Sequence, residues 1–554
     1  MSLGRTSTGV DHSDAGQEGA LADSGEPPVR GAGVRKSGHA PHLSRRRFLV
    51  NASLAALAFR GGGAFALTAQ AAPVSSGPLV RTASGRLRGE SAAGIRIFRG
   101  VPFAEPPVGD LRFRPTVKVK PWTDERDATV FSASPMQFGE TRLTHSEDCL
   151  YLNIWAPEGK GPFPVYVWIH GGGFVGGHAF SPIYDGSEFA REGIVCITVA
   201  YRLGVFGFLD FGPLLGGGYA GTANNALHDL ITALEWVQEN VAAFGGDPSR
   251  VTIGGESAGA KLSDILMGVP SARALFHQVI SESGGAERVW AQSNSAAVAN
   301  GFAEMWRNQS GNGSGGLLTA SATSLIQAQH AFIATWPQHF PLRCEVDGTL
   351  IPRLPVETIA AGSTHGKRLL IGTNREESAL FVGPHPTKDA TAADIGNISL
   401  ARFAPVYQRY KGVYPEMTAE QLRVRALTAE EYWVPSTRVV DAHVKGGGTA
   451  WMYRLDFEES SGRLQGYAYH SLDIGLVWDH PHAQVDNAAA EAVLAKQMHL
   501  AWVTFIRGEA PTAPGLPAWP QYSRETRPTM ILDVQSRVEE RPQEAELRLW
   551  DGVL

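Results

Sequence analysis

Val251-Thr252-Ile253-Gly254-Gly255-Glu256-Ser257-Ala258-Gly259-Ala260 is the stretch on which the reading of the fold turns. A β-branched run breaks into Gly-x-Ser-x-Gly, the pattern of a strand that bends sharply into a helix and lifts a serine hydroxyl clear of the sheet. Gly255 and Gly259 flank the bend, where Cβ atoms would collide across so tight a turn. The helix that starts there directs N–H groups and the positive end of its dipole at Ser257, where negative charge can develop. The pentapeptide alone is weak, because a chain of 554 residues with 63 glycines supplies about half a match by chance. The competing reading is a glycine-rich loop after a core strand, and the rest of the chain decides between the two.

Working outward, continuous apolar runs recur at 165–169, 194–200, 251–253, 278–280, 369–372 and 451–455. Runs of this kind suit parallel strands covered on both faces. Between two of them, 225–241 carries Leu227, Leu230, Leu234 and Val237 at helical spacing, which predicts a crossover helix. With no internal repeat and no linker after residue 71, the economical reading is one α/β domain over 72–554, with a mostly parallel twisted sheet, helices on both faces and inserted helices and loops.

A serine hydroxyl is a poor nucleophile at neutral pH and needs a base to take its proton and a third group to hold that base. A strand-to-helix elbow of this type requires the order serine, acid, histidine. Glu377, in Gly372-Thr373-Asn374-Arg375-Glu376-Glu377-Ser378, and His470, in Tyr469-His470-Ser471-Leu472-Asp473, both follow strand-like runs. Spacing does not choose them, since the chain has 17 histidines and many carboxylates. Acyl transfer also needs N–H donors converging on the oxyanion. His170-Gly171-Gly172-Gly173-Phe174, directly after the 165–169 run, can turn its main chain that way. One such donor is worth about 3–4 kcal/mol in the transition state. A phosphate loop is the alternative, but the segment lacks the Lys-Ser/Thr ending and the dinucleotide spacing.

From about Gly85 to the C-terminus the chain resembles the type-B carboxylesterase and cholinesterase-like family of α/β-hydrolases. The resemblance is carried in order by Arg99-Gly100-Val101-Pro102-Phe103-Ala104, Glu147-Asp148-Cys149-Leu150-Tyr151-Leu152-Asn153, His170 to Phe174, Tyr201-Arg202-Leu203-Gly204, Phe244-Gly245-Gly246-Asp247-Pro248 and the Ser257 elbow. It implies the α/β-hydrolase fold, with Ser257 as nucleophile, Glu377 as acid, His470 as base, and Gly172, Gly173 and Ala258 as oxyanion donors. It implies hydrolysis of a small-molecule carboxylic ester through an acyl-enzyme, without metal or cofactor. Amides, carbamates or lactones could be opened by the same triad, and relatives without the nucleophile serve as binding proteins. This chain departs from the family pattern in having Ser378 after its acid and no cysteine near Pro135, which leaves Cys149 without the family's partner. It also lacks, between Pro135 and Ser146, the tryptophan with which cholinesterases cradle a quaternary ammonium.

Several neighbouring residues have structural readings. Arg112, Glu147 and Arg202 are expected to brace the sheet, Asp473 to tether or cap locally, and Trp519 and Tyr522 to anchor packing. Ser283, in Ser281-Glu282-Ser283-Gly284, reads either as a hydroxyl supporting the triad or as a buried structural serine. Loops at 308–317 and 383–397 are expected to shape the substrate pocket.

Composition sets outer bounds. With 43% hydrophobic and 19% charged residues the full chain of 554 residues has the composition of an ordinary globular protein. Residues 1–44 lack hydrophobic periodicity and read as a disordered extension. Ser44-Arg45-Arg46-Arg47-Phe48-Leu49, a short apolar run and small-residue cleavage candidates such as Ala69-Gln70-Ala71 resemble a twin-arginine export signal, so 1–71 is expected to direct the protein to the periplasm or outside the cell. The run is too short for a permanent membrane anchor. Loss of 1–71 removes eight basic and five acidic residues, leaving 41 basic against 50 acidic. That balance argues against nucleic acid or an anionic membrane as partner. Three cysteines are too few for a disulfide scaffold, and neither they nor His480 and His482 have metal-ligand spacing.

Overall fold

Phe163–Ile169 explains the layering of the molecule. In this computed structural model, Val165, Val167 and Ile169 point into one core, while Tyr166 and Trp168 point into a second core on the opposite face. Side chains of a strand alternate in direction, so a strand covered on both faces must be apolar throughout. The structure describes residues 77–139, 142–382, 390–391, 394–481 and 487–554, all in one compact unit. The twin-arginine segment and His482 lie outside the described residues.

Eleven strands form the central sheet. In chain order they are β1 (Glu90–Ala92), β2 (Ile95–Pro102), β3 (Tyr151–Pro157), β4 (Phe163–Ile169), β5 (Val195–Val199), β6 (Gly246–Glu256), β7 (Gln278–Glu282), β8 (Arg368–Asn374), β9 (Thr449–Leu455), β10 (Pro528–Leu532) and β11 (Arg537–Glu540). Their spatial order is β11-β10-β9-β8-β7-β6-β4-β5-β3-β2-β1. All neighbours from β5 to β10 are parallel, with Val251 opposite Val165 and Gly255 opposite Ile169 across β6 and β4. The sheet is closed on each edge by antiparallel strands, β11 on one side and β3, β2 and β1 on the other. Each apolar run predicted above lies in one of the parallel strands. The antiparallel edges were not anticipated: β1 and β11 are short and partly exposed, while β2 and β3 carry Arg96, Arg99 and Asn153, which interrupt their apolar runs.

Helix α1 (Asn225–Asn240) is the predicted crossover, and Leu227, Leu230, Leu234 and Val237 face the same core as Val165. Helix α2 (Ala258–Met267) follows the elbow with all ten residues buried. Helices α3 (Val434–Lys445) and α4 (Leu472–Val477) lie either side of β9 in the chain, and α5 (Ala488–Ile506) covers the other face with Met498, Trp502 and Phe505. Among the described residues no helix is long and apolar enough to cross a membrane.

The braces expected from sequence are present. Buried Arg202 grips Asp229 of α1 through Nε and Nη2 at 2.8–3.1 Å and also donates to the Arg114 carbonyl. Arg112 binds Glu147 and donates to the carbonyls of Leu318 and Ala320. Trp519 Nε1 donates to the Met452 carbonyl and the Tyr522 hydroxyl to Asp441. Cys149, Cys196 and Cys344 are buried and free.

Candidate active site

Strands β4, β6, β7 and β8 end on one side of the sheet, and the residues just beyond those ends supply the site, as expected at the carboxyl edge of a doubly wound sheet. At the end of β6, Ser257 has φ 56° and ψ −120°, a backbone state that a non-glycine residue holds only when the surrounding structure imposes it. Two hydrogen bonds fix it: Ser257 N donates to Glu282 O on β7, and Lys261 N donates to Ser257 O, each at 2.9 Å. The bend brings α2 against the end of β4 so closely that a Cβ on Gly259 would collide with the Ile169 carbonyl.

Beyond β4, Gly172 and Gly173 both have positive φ, 120° and 61°. Val175 N and Gly176 N donate to Gly172 O and close the turn, and a Cβ on Gly172 would strike the Gly176 carbonyl. None of the N–H groups of Gly172, Gly173 and Ala258 donates a hydrogen bond to another described residue. The loop is held from behind by the Tyr201 hydroxyl, which donates to His170 O at 2.7 Å. Burial pushes His170 down to about 3, so its ring is neutral, with Nδ1 donating to Gly171 O at 2.8 Å.

Glu377 and His470 are brought together. His470 Nδ1 lies 2.6 Å from Glu377 Oε2. The other carboxylate oxygen, Oε1, accepts from Asn374 N at 2.7 Å and from the Ser283 hydroxyl. The Ser283 hydroxyl, buried as one of its two readings had it, is thus spent on holding the Glu377 carboxylate. The loops carrying acid and base are laced together: Glu376 N donates to Ala468 O (2.9 Å), Ala468 N to Glu376 Oε2 (3.1 Å), Asn374 Nδ2 to Tyr469 O (2.7 Å) and His470 N to Glu377 O (3.3 Å). Asp473 accepts from Asn374 Nδ2 at 3.2 Å and from the Tyr453 hydroxyl at 3.1 Å, so it tethers the acid loop to β9 and does not cap α4.

Ser257 and His470 are not joined by a hydrogen bond. His470 Nε2 lies 3.1 Å from Glu256 Oε1, which also accepts from the Ser471 hydroxyl at 2.6 Å. Bonds between nucleophile and base are often long or poorly aligned before substrate binds. Burial alone would lower the His470 pKa, but Glu256 and Glu377 on its two nitrogens outweigh it and hold the ring above its ordinary value. Phe381 and Tyr432 pack against the ring, with centroids 5.2 Å and 4.8 Å away. The Phe340 ring stands over Gly173.

Sequence reasoning missed the contact of Glu256 with the base, although Glu256 adjoins Ser257, and it missed the aromatic walls altogether. Segment 308–317 closes the hairpin between helices Gln292–Ser310 and Ala322–Thr335 and lines a separate cavity of about 350 Å³ with Trp306, Ser324 and Gln327. Ser257, Glu377 and His470 do not line that cavity. Most of the second segment, 383–389 and 392–393, lies outside the described residues. Among the described residues no group of three or more His, Cys, Asp or Glu side chains is placed to hold a metal ion.

Proteins of known activity are similar to this chain in sequence and in fold. A sequence model of the carboxylesterase family matches residues 76–550. The para-nitrobenzyl esterase of Bacillus subtilis is 33% identical over 482 residues, covering 84% of this chain and 96% of that protein. The liver carboxylesterase of Sus scrofa is 32% identical, covering 87% and 94%. Among solved structures, a PNB esterase superposes with a TM-score of 0.76 at 30% identity, covering 85% of this chain and 99% of the other. A Geobacillus stearothermophilus carboxylesterase superposes with a TM-score of 0.75 at 33% identity.

Proposed function

The chain belongs to the carboxylesterase family and hydrolyses carboxylic esters, and from that premise we propose that Ser257, His470 and Glu377 carry the reaction through an acyl-enzyme. The observation that carries this reading is the 2.6 Å contact between His470 Nδ1 and Glu377 Oε2. A carboxylate there keeps the proton on Nδ1, so that Nε2, which faces Glu256 Oε1 in the free enzyme, can turn a lone pair to the serine once substrate seats.

In this reading His470 Nε2 takes the Ser257 proton as Oγ attacks the ester carbonyl. The N–H groups of Gly172, Gly173 and Ala258 receive the negative charge that grows on the carbonyl oxygen. Nε2 then gives its proton to the leaving alkoxide, and water repeats the sequence on the acyl-enzyme. The buried Glu377 stabilises the imidazolium each time without taking its proton. A fluorophosphonate probe tests the assignment. One equivalent is expected to abolish turnover of p-nitrophenyl acetate and to appear by mass spectrometry on the peptide bearing Ser257. Inactivation with the adduct on a different residue would sink it.

We also propose export through the twin-arginine segment, on the strength of Arg45-Arg46-Arg47 before a short apolar run. A reporter fused behind residues 1–71 is expected to reach the periplasm, and Arg45→Lys with Arg46→Lys to hold it in the cytoplasm. Cytoplasmic retention of the unaltered fusion refutes the proposal.

A further inference from the structure

Lys261 sits one helical turn beyond Ser257 on α2, and only 2% of its surface is exposed. Burying an ammonium is unfavourable unless polar groups receive it, and here three do. Its Nζ donates to Gly284 O at 2.9 Å and to Glu431 O at 3.0 Å, and lies 3.3 Å from Glu431 Oε1. The same ammonium is 4.7 Å from the centroid of the Tyr432 ring, a cation–π contact. Each partner leads to the triad. Gly284 follows Ser283, whose hydroxyl supports Glu377, and Tyr432 is the wall against His470. Glu431 and Tyr432 belong to a π-helical turn, Ala429–Trp433, an irregularity that recurs at functional sites.

We propose that Lys261 is a positioning residue for ester hydrolysis: its ammonium clamps the turn that presses Tyr432 on His470 and offsets the carboxylates gathered around that base. The inference rests on the Ser257–His470–Glu377 reading above. Burial, and then Arg288 after β7, push the Lys261 amine below its ordinary value, and the ammonium is held against them by Glu287 after β7, Asp264 on its own helix, Glu377 beyond β8, Glu256 at the end of β6, and Glu431 and Tyr432 on the π-turn. The groups facing His470 are Glu256 from β6, Glu377, Asp473 of α4 and the Tyr432 ring. Arg288 pairs with Glu431. With the ammonium gone, Glu256 and Glu377 act on His470 less opposed, so the imidazolium is favoured and less free base remains at neutral pH.

Lys261→Met keeps the aliphatic stem and removes the charge. It is expected to lower kcat about tenfold, to leave KM within about twofold, and to move the acid limb of kcat/KM up by about half a pH unit or more. Lys261→Gln retains donors for the two carbonyls and is expected to recover most of kcat while the limb stays displaced. A limb at its wild-type position in either folded variant overturns the proposal, as does a variant that merely loses melting temperature and titratable active sites. Should neither fold, Lys261→Met with Glu431→Gln removes both buried charges together, and the limb is expected to move in the same direction; an unmoved limb again overturns it. Ser257→Ala is assayed alongside. Activity surviving in Ser257→Ala means that the triad reading has failed, whereas an inactive Ser257→Ala beside Lys261 variants with wild-type profiles means that only the role of Lys261 has.

Discussion

Ser257→Ala is expected to lower kcat/KM for a short p-nitrophenyl ester by about 10⁴-fold or more, with the melting temperature nearly unchanged. The substitution deletes one oxygen that makes no hydrogen bond to His470 in the free enzyme, so little folding energy goes with it. The alanine must adopt the same φ of 56°, a strain the serine already bears. What disappears is the covalent route. The N–H groups of Gly172, Gly173 and Ala258 and the His470–Glu377 pair remain and leave a residual acceleration over water. Steady-state turnover alone could be deceived by traces of wild type, so the variant should also fail to take up one equivalent of the fluorophosphonate. A variant that turns over at near wild-type rate would remove Ser257 from the mechanism.

Glu377→Gln is expected to reduce kcat by about 10³–10⁴-fold, although it changes neither size nor shape. The reason lies in the partners of the carboxylate. Oε1 accepts from the Asn374 backbone N–H, which can only donate, so the amide oxygen of a glutamine must take that place. Its NH₂ then occupies the position of Oε2, 2.6 Å from His470 Nδ1. Two donors cannot share that contact, so the ring moves its proton to Nε2, where it blocks the serine. The structure therefore dictates the wrong tautomer. A 15N spectrum of the imidazole is expected to show the proton shifted between the two nitrogens, and Glu377→Asp, which restores an acceptor on a shorter arm, to be less damaged. Equal activity of Glu377→Gln and the wild type would refute the orienting role.

The elbow and the glycine loop were legible in the chain because close backbone approach dictates them locally: glycine is demanded at 259 by the Ile169 carbonyl and at 172 by the Gly176 carbonyl. The parallel strands were legible because coverage on two faces makes their central runs almost continuously apolar, with few polar positions such as Thr198 and Thr252. Glu377 and His470 could be named only through resemblance, since the contact between them joins loops 93 residues apart and leaves no periodic trace. Lys261 was invisible for a different reason. A lysine within a helix reads as exposed, and only the burial of α2 on every side turns it inward. Glu256, Asp473 and Glu377 pose the same difficulty, because a carboxylate that is buried beside one base looks in sequence like any solvated acid.

The lacing of the acid loop to the base loop separates two properties of the enzyme that could have been entangled. The span between Glu377 and His470 is governed by main-chain pairing of 376–377 with 468–470 and by the Asn374 amide on Tyr469 O, whereas the Phe340 ring stands over Gly173 and the Phe381 ring against His470. On the proposed mechanism, substrate preference is expected to change with those two rings while the backbone that spaces acid and base is inherited intact. Mutational libraries aimed at positions 340 and 381 are expected to retain far more active clones than libraries of equal size aimed at the laced loops.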